Sequence, residues 1–247
     1  MIVKAVIPAR NEAPALPKVL AAIPDSVVEV IVADNGSTDA TAAIARAHGA
    51  TVVSEPTPGY GRACMAGIRA AGTCDVIVFL DADASDYPEE LDTLLAPITD
   101  GRADLVIGSR VARASRGSLT LPQRFGNRLA CTLMRLFWGG PFTDLGPFRA
   151  IRRDALARLD MQAPTFGWTV EMQARALKRG LRCAEVDVGY RPRIGKSKIS
   201  GTVRGVILAG TYILGTIALE ALSPEPRRYR RPHEKAAPEG TAVKVGI

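Results

Sequence analysis

The chain has 247 residues, 47% hydrophobic and 23% charged, with 32 Lys+Arg against 25 Asp+Glu for a net charge of +7. This mix supports one substantial core and excludes an extended disordered chain. Four cysteines without a CxxC pair exclude a disulfide scaffold or zinc knuckle, and two histidines, His48 and His233, leave little for a His-based triad or metal site.

The first half alternates in type. Apolar runs at 2–8, 27–33, 50–54, 75–80 and 103–108 predict strands, with helical stretches between them. That order predicts an α/β fold with a doubly wound, mostly parallel sheet, whose ligands bind beyond the carboxyl ends of the strands. The polar clusters fall at such ends: "PARNE" after the first run, "DNGSTD" after the second, "DADASD" after the fourth and "GSR" after the fifth. Next come a helix over about 122–138, closed by Gly139-Gly140, then a loop, short strand and helix in "TDLGPFRAIRRDALARL". A helix ending at Gly180, the strand "CAEVDVGY" and the basic loop "RPRIGKSKISG" follow. Residues 205–219 carry no charge but fall short of the roughly 20 residues of a membrane span, so they read as a core or membrane-interfacial helix. The division expected is 1–203 as the folded domain, 204–222 as this helix, and 223–247 as a disordered basic tail. Its "RRYRR" suits anionic lipid headgroups or plain solvation. The N-terminus turns polar after one strand's length, unlike a signal peptide, so a reduced, cytoplasmic protein is expected.

Charge is unevenly spread. Residues 1–109 hold 7 basic and 15 acidic side chains, whereas 110–153 hold 9 arginines and the single acid Asp144. An acidic half followed by an arginine-dense segment is what a site for a metal plus phosphates requires. Nucleic acid is not expected, because the basic segment lacks interleaved aromatics. If strand geometry persists past Leu80, Asp81 and Asp83 face one side, and such carboxylates suit a hard cation, Mg²⁺ or Mn²⁺. Asp86, before "YPEEL", reads as a helix N-cap.

Seven motifs in order, "VIPARNE", "VADNGSTDAT", "DADAS", "GSR", "TDLGPFR", "GWTVEM" and "GKSK", resemble the family 2 glycosyltransferases of GT-A fold over roughly residues 2–200. Within them the chain is most similar to polyprenol-phosphate sugar transferases of the dolichol-phosphate mannose or glucose synthase type. The resemblance implies a UDP- or GDP-hexose donor, a divalent metal and an acceptor such as polyprenyl phosphate at the inner face of a membrane. It implies that Pro8, Arg10, Glu12 and Asp34 hold the nucleotide, that Gly59 and Gly61 admit it closely, that Asp81 touches it, and that Asp83, with Asp81, ligates the metal. Arg110 and Arg149 would bind phosphate, and the shared face of Arg124 and Arg128 could serve phosphate or solvent. Asp144 and Glu171 would be bases for a hydroxyl acceptor, or would orient cationic groups or sugar hydroxyls for a lipid phosphate. Arg191, Arg193, Lys196 and Lys198 would grip the acceptor phosphate.

The chain departs from this pattern in three places. Ser85 stands where relatives commonly carry Gln, Pro192 stands where the loop arginine usually lies, and no long paired transmembrane C-terminus follows. Two other readings remain: transfer to a soluble hydroxyl, and a non-catalytic nucleotide-sugar binder. A sugar-1-phosphate nucleotidyltransferase would carry a glycine-rich loop after the first strand, and "PARNEAPALP" has no glycine.

Overall fold

A computed structural model describes residues 1–195 and 203–224. The elements run β1 (Val3–Ala9), α1 (Leu16–Ala21), β2 (Val27–Asp34), α2 (Thr41–Ala47), β3 (Thr51–Ser54), α3 (Tyr60–Ala70) and β4 (Val76–Phe79). They continue as α4 (Leu91–Thr99), β5 (Leu105–Ser109), α5 (Leu121–Trp138), β6 (Arg149–Arg152), α6 (Arg153–Leu159), α7 (Trp168–Lys178), β7 (Cys183–Asp187) and α8 (Val203–Leu222). The seven strands form one sheet ordered β3-β2-β1-β4-β6-β5-β7. All neighbours are parallel except β6, which runs antiparallel to both β4 and β5. The expected α/β sheet is therefore present, with one reversed strand.

β4 and β5 are buried throughout, which is why their sequences run apolar instead of alternating. The sheet faces bury two apolar clusters, one around Ile7, Val78 and Leu94, the other around Phe79, Ile107 and Trp168. A smaller cluster joins Ala130, Cys131 and Met134 of α5, Val170 of α7 and Ile217 of α8. α5 starts with a capping box between Thr120 and Gln123, which satisfies two free helix-end amides.

Strand β4 ends at Phe79, and the chain turns at Ala82–Asp83. Strand alternation therefore does not set how Asp81 and Asp83 are presented, and that expectation is corrected. The turn is built around Ala84 at φ +61°, a conformation disfavoured for residues with a Cβ. The free energy of that strain, of order 1–3 kcal/mol, is borne where the acidic cluster sits. Asp86 is not a helix cap either. Tyr87 occupies the cap position without a side-chain bond, and Asp86 is buried within the cluster.

α8 is partly buried. Of its described side chains Ile217 and Glu220 are buried, while Leu208, Tyr212, Leu219 and Leu222 are exposed. It docks on α7 through Glu220, which pairs with Arg175 at 2.7 Å and Lys178 at 3.2 Å. Among the described residues no helix is long and apolar enough to cross a membrane.

Candidate active site

The polar ends of β1, β2, β4 and β5 converge with the loop after β7. The first two are laced together: Asn11 N–H donates to Ser37 Oγ at 2.9 Å, and Thr38 N–H to Asn11 Oδ1 at 2.7 Å. Pro8 is buried in β1, Arg10 is exposed at its end, and Asp34 accepts from Ser37 N at 3.3 Å. Beside Asp34, Asn35 was not expected to matter, yet its amide donates to the carbonyls of Glu55 and Thr57, both at 2.8 Å. Its oxygen accepts from Gly59 N at 2.8 Å. It thereby holds the start of α3 against the end of β2.

Gly59 and Gly61 answer to the chain itself. A Cβ at Gly59 would fall on the carbonyl oxygen of Pro164, and one at Gly61 on that of Ala163. Arg62 N–H also donates to Pro164 O at 3.1 Å. These glycines admit the 163–164 backbone.

In the acidic cluster, Asp83 Oδ1 accepts from both the amide and the hydroxyl of Ser85. Its Oδ2 lies 3.2 Å from Arg193 Nη1, while Arg193 Nη2 lies 3.0 Å from Glu12 Oε1. Asp81 Oδ1 accepts from the Tyr60 hydroxyl at 3.2 Å. Burial, and then the charge of Asp83, push the Asp81 carboxyl up to about 7. Burial and the same neighbours raise Asp86 well above the carboxylate range, and its Oδ1 is buried without a partner. Among the described residues no group of three or more His, Cys, Asp or Glu side chains is placed to hold a metal ion. The carboxylate oxygens of Asp81 and Asp83 are nonetheless the donor type that a hard divalent ion takes when waters and phosphates complete its shell.

Arg110, at the end of β5, is held by Asp144. The carboxylate accepts from Arg110 N at 2.8 Å, Nε at 2.7 Å and Nη2 at 2.7 Å. Nη1 is not engaged by Asp144. The guanidinium stacks 4.9 Å from the Tyr190 ring centroid. Burial alone would push the Asp144 carboxyl up, but the charge and hydrogen bonds of Arg110 outweigh it and hold the group below its ordinary value. A Cβ at Gly146 would crowd Gly108 O of β5, so the glycine of "TDLG" lets this loop lie against the strand end. Glu185 braces the loop by accepting from Thr143 N at 2.7 Å and Asp144 N at 3.0 Å.

Three other expected residues serve the scaffold. Arg149 is fully buried and donates to the carbonyls of Leu145, Gly146 and Thr169. Its Nε and both terminal nitrogens are thus engaged by backbone carbonyls. Glu171 is 3% exposed and accepts from Gln162 N at 2.9 Å and Ala163 N at 2.8 Å, with Arg175 at 3.0 Å. It clamps the 162–164 backbone that presses on Gly61. Arg191 donates to Ala84 O at 2.7 Å and Asp86 O at 3.3 Å over the Tyr87 ring, pinning the loop after β7 to the acidic turn. Lys196 and Lys198 lie outside the described residues. Tyr60, Tyr190 and Glu185 went unnoticed in the sequence because no local motif marks them, and Asn35 lay inside "VADNGSTDAT" without being singled out.

The glycosyl transferase family 2 model matches residues 4–160, which include the acidic turn and the Arg110–Asp144 pair. The chain belongs to this family. An uncharacterised glycosyltransferase of Mycobacterium tuberculosis is 43% identical over 210 residues, 84% of this chain and 94% of that protein. The undecaprenyl-phosphate mannosyltransferase of Micrococcus luteus is 34% identical over 223 residues, 83% and 90% of the two chains. Among solved structures, glucosyl-3-phosphoglycerate synthase from M. tuberculosis in complex with Mn²⁺, UDP-glucose and phosphoglyceric acid superposes with TM-score 0.73 at 25% identity. The match covers 90% of this glycosyltransferase and 80% of that chain. The enzyme thus shares a GT-A-like fold with a UDP-glucose-binding synthase.

Proposed function

We propose that this glycosyltransferase moves a hexose, with inversion, from a nucleoside-diphosphate sugar to polyprenyl phosphate. The observation that carries the reading is the state of the two carboxylates expected to act as bases. Asp144 is spent on Arg110, and Glu171 on two backbone amides and Arg175. A hydroxyl acceptor needs a group to take its proton, whereas an acceptor phosphate is already anionic and needs only cationic positioning. The similarity to the undecaprenyl-phosphate mannosyltransferase points the same way.

In this mechanism an oxygen of the acceptor phosphate attacks the anomeric carbon as the bond to the donor diphosphate breaks. The bonding pair leaves with the nucleoside diphosphate, and no proton moves. Asp144 fixes the Arg110 guanidinium so that its Nη1 can meet phosphate without reorganising. Glu12, Asp34 and the Asn35-held loop shape the nucleotide side. Asp83 and Asp81 would hold Mg²⁺ or Mn²⁺, which supplies charge stabilisation to the departing diphosphate.

A second reading, a soluble acceptor, draws on the neighbour crystallised with phosphoglyceric acid. Two measurements separate the readings. Melting curves with UDP- and GDP-sugars, with and without Mn²⁺, test the donor. A ligand at 100 times its Kd adds about 2.7 kcal/mol, and the shift should need metal and vanish in Asp83→Ala. Transfer of radiolabelled hexose to polyprenyl phosphate should give product in the organic phase. Label found only in aqueous product would favour the second reading, and no shift with any donor would sink both.

A further inference from the structure

We propose that the outer face of α5 is a docking surface for an anionic lipid bilayer. An exposed helix face is ordinarily polar. Here Leu121, Phe125, Arg128, Thr132 and Leu136 recur every three or four residues and so line one face. It is the face turned away from buried Ala130, Cys131 and Met134. Leu121, Phe125 and Leu136 are 81%, 71% and 74% exposed. Arg124 and Arg135 flank the stripe, and no acidic residue occurs in the 18-residue helix. None of these three arginines has an ion pair with a described carboxylate. α8, packed on α5 through Ile217, carries a second exposed apolar stripe at Leu208, Tyr212 and Leu219.

Arginines beside large apolar side chains on one helix face are the chemistry of an element lying in a headgroup layer. Charge complementarity names the occupant. A second copy of this chain would oppose arginine to arginine, whereas phosphate headgroups neutralise the same groups. The placement also fits the site, because the segment leading into α5 begins at Arg110. This inference rests on the lipid-phosphate reading and adds to it where the protein meets the bilayer.

The test is flotation of the full chain with phosphatidylcholine vesicles, with and without phosphatidylglycerol, at low and high salt. The wild type should float with the anionic vesicles at low salt and be released by high salt. Arg124→Gln/Arg128→Gln/Arg135→Gln should weaken binding on the order of a hundredfold. Phe125→Ser/Leu136→Ser should abolish it, with melting temperature and the nucleotide-induced thermal shift retained, since the changed side chains are exposed. No flotation by the wild type, or flotation unaffected by both variants, overturns the proposal. So does a wild-type dimer that Phe125→Ser/Leu136→Ser splits without changing flotation. The vesicles contain no polyprenyl phosphate, so failure here and failure of the transfer assay are read separately.

Discussion

The guanidinium of Arg193 bridges Asp83 at 3.2 Å and Glu12 at 3.0 Å, so one side chain neutralises carboxylates from the loops after β4 and β1. The protein thus supplies a positive charge to the acidic cluster itself. On the proposed function, a divalent ion would compete with Arg193 for Asp83. Arg193→Met should therefore bind Mn²⁺ more tightly than wild type in the absence of donor, on the order of tenfold. Free Mn²⁺ measured by electron paramagnetic resonance would show it. Unchanged or weaker affinity would mean that the two cations do not share the site.

Glu171→Gln separates clamp from base. The amide keeps one oxygen for the 162–164 amides but loses the ion pair with Arg175. Expected are a lower melting temperature and turnover within a few-fold of wild type below it. A loss of 10³-fold or more in a folded variant, measured at saturating substrates, would restore Glu171 as a base.

Arg149→Met tests the buried arginine. It strips donors from the carbonyls of Leu145, Gly146 and Thr169, and buried acceptors left unpaired cost about 1–3 kcal/mol each. Urea unfolding should show a loss of about 3 kcal/mol or more, with nucleotide affinity little changed under native conditions. A stable variant that fails to bind nucleotide would return Arg149 to the phosphate site.

Two carboxylates give opposite pH dependences. Asp81, raised to about 7 by burial and Asp83, binds a proton in the folded state that the unfolded chain has already released above about pH 4. The stability it contributes is present at low pH and is lost as pH rises through 7. Asp144, held low by Arg110, stabilises above the unfolded value and loses that contribution as pH falls through its folded value. Metal-free protein should melt higher at about pH 5.5 than at about pH 8, and the difference should shrink in Asp81→Asn. Asp144→Asn should instead flatten the decline below about pH 4. An equal pH difference in Asp81→Asn and wild type would contradict the assignment.

The sheet and the ends that carry the site were legible because buried parallel strands read as apolar runs and their polar clusters follow at once. The direction of β6 was not, since the four residues Arg149–Arg152 carry no sign of orientation. Gly61 could not be connected with Ala163, about a hundred residues away, from spacing alone. Nor could the sequence say whether the donors of Arg149 meet a ligand or carbonyls, because only tertiary contact decides that. Asp86 resembled a cap because its neighbours suit one, yet the turn at Ala84 carries it into the cluster.

The reversed strand β6 begins at Arg149, which is in register with Phe79 of β4 and Ile107 of β5. The loop before it therefore enters from the same sheet edge at which β4 and β5 deliver their own loops. This makes β6 a seam between β4, which leads into the acidic turn, and β5, which leads into Arg110. The two sides meet along a line of backbone hydrogen bonds that is indifferent to side-chain identity. On the proposed function, one continuous core would thereby carry the acidic turn and Arg110 on neighbouring loops with a reversed strand between them.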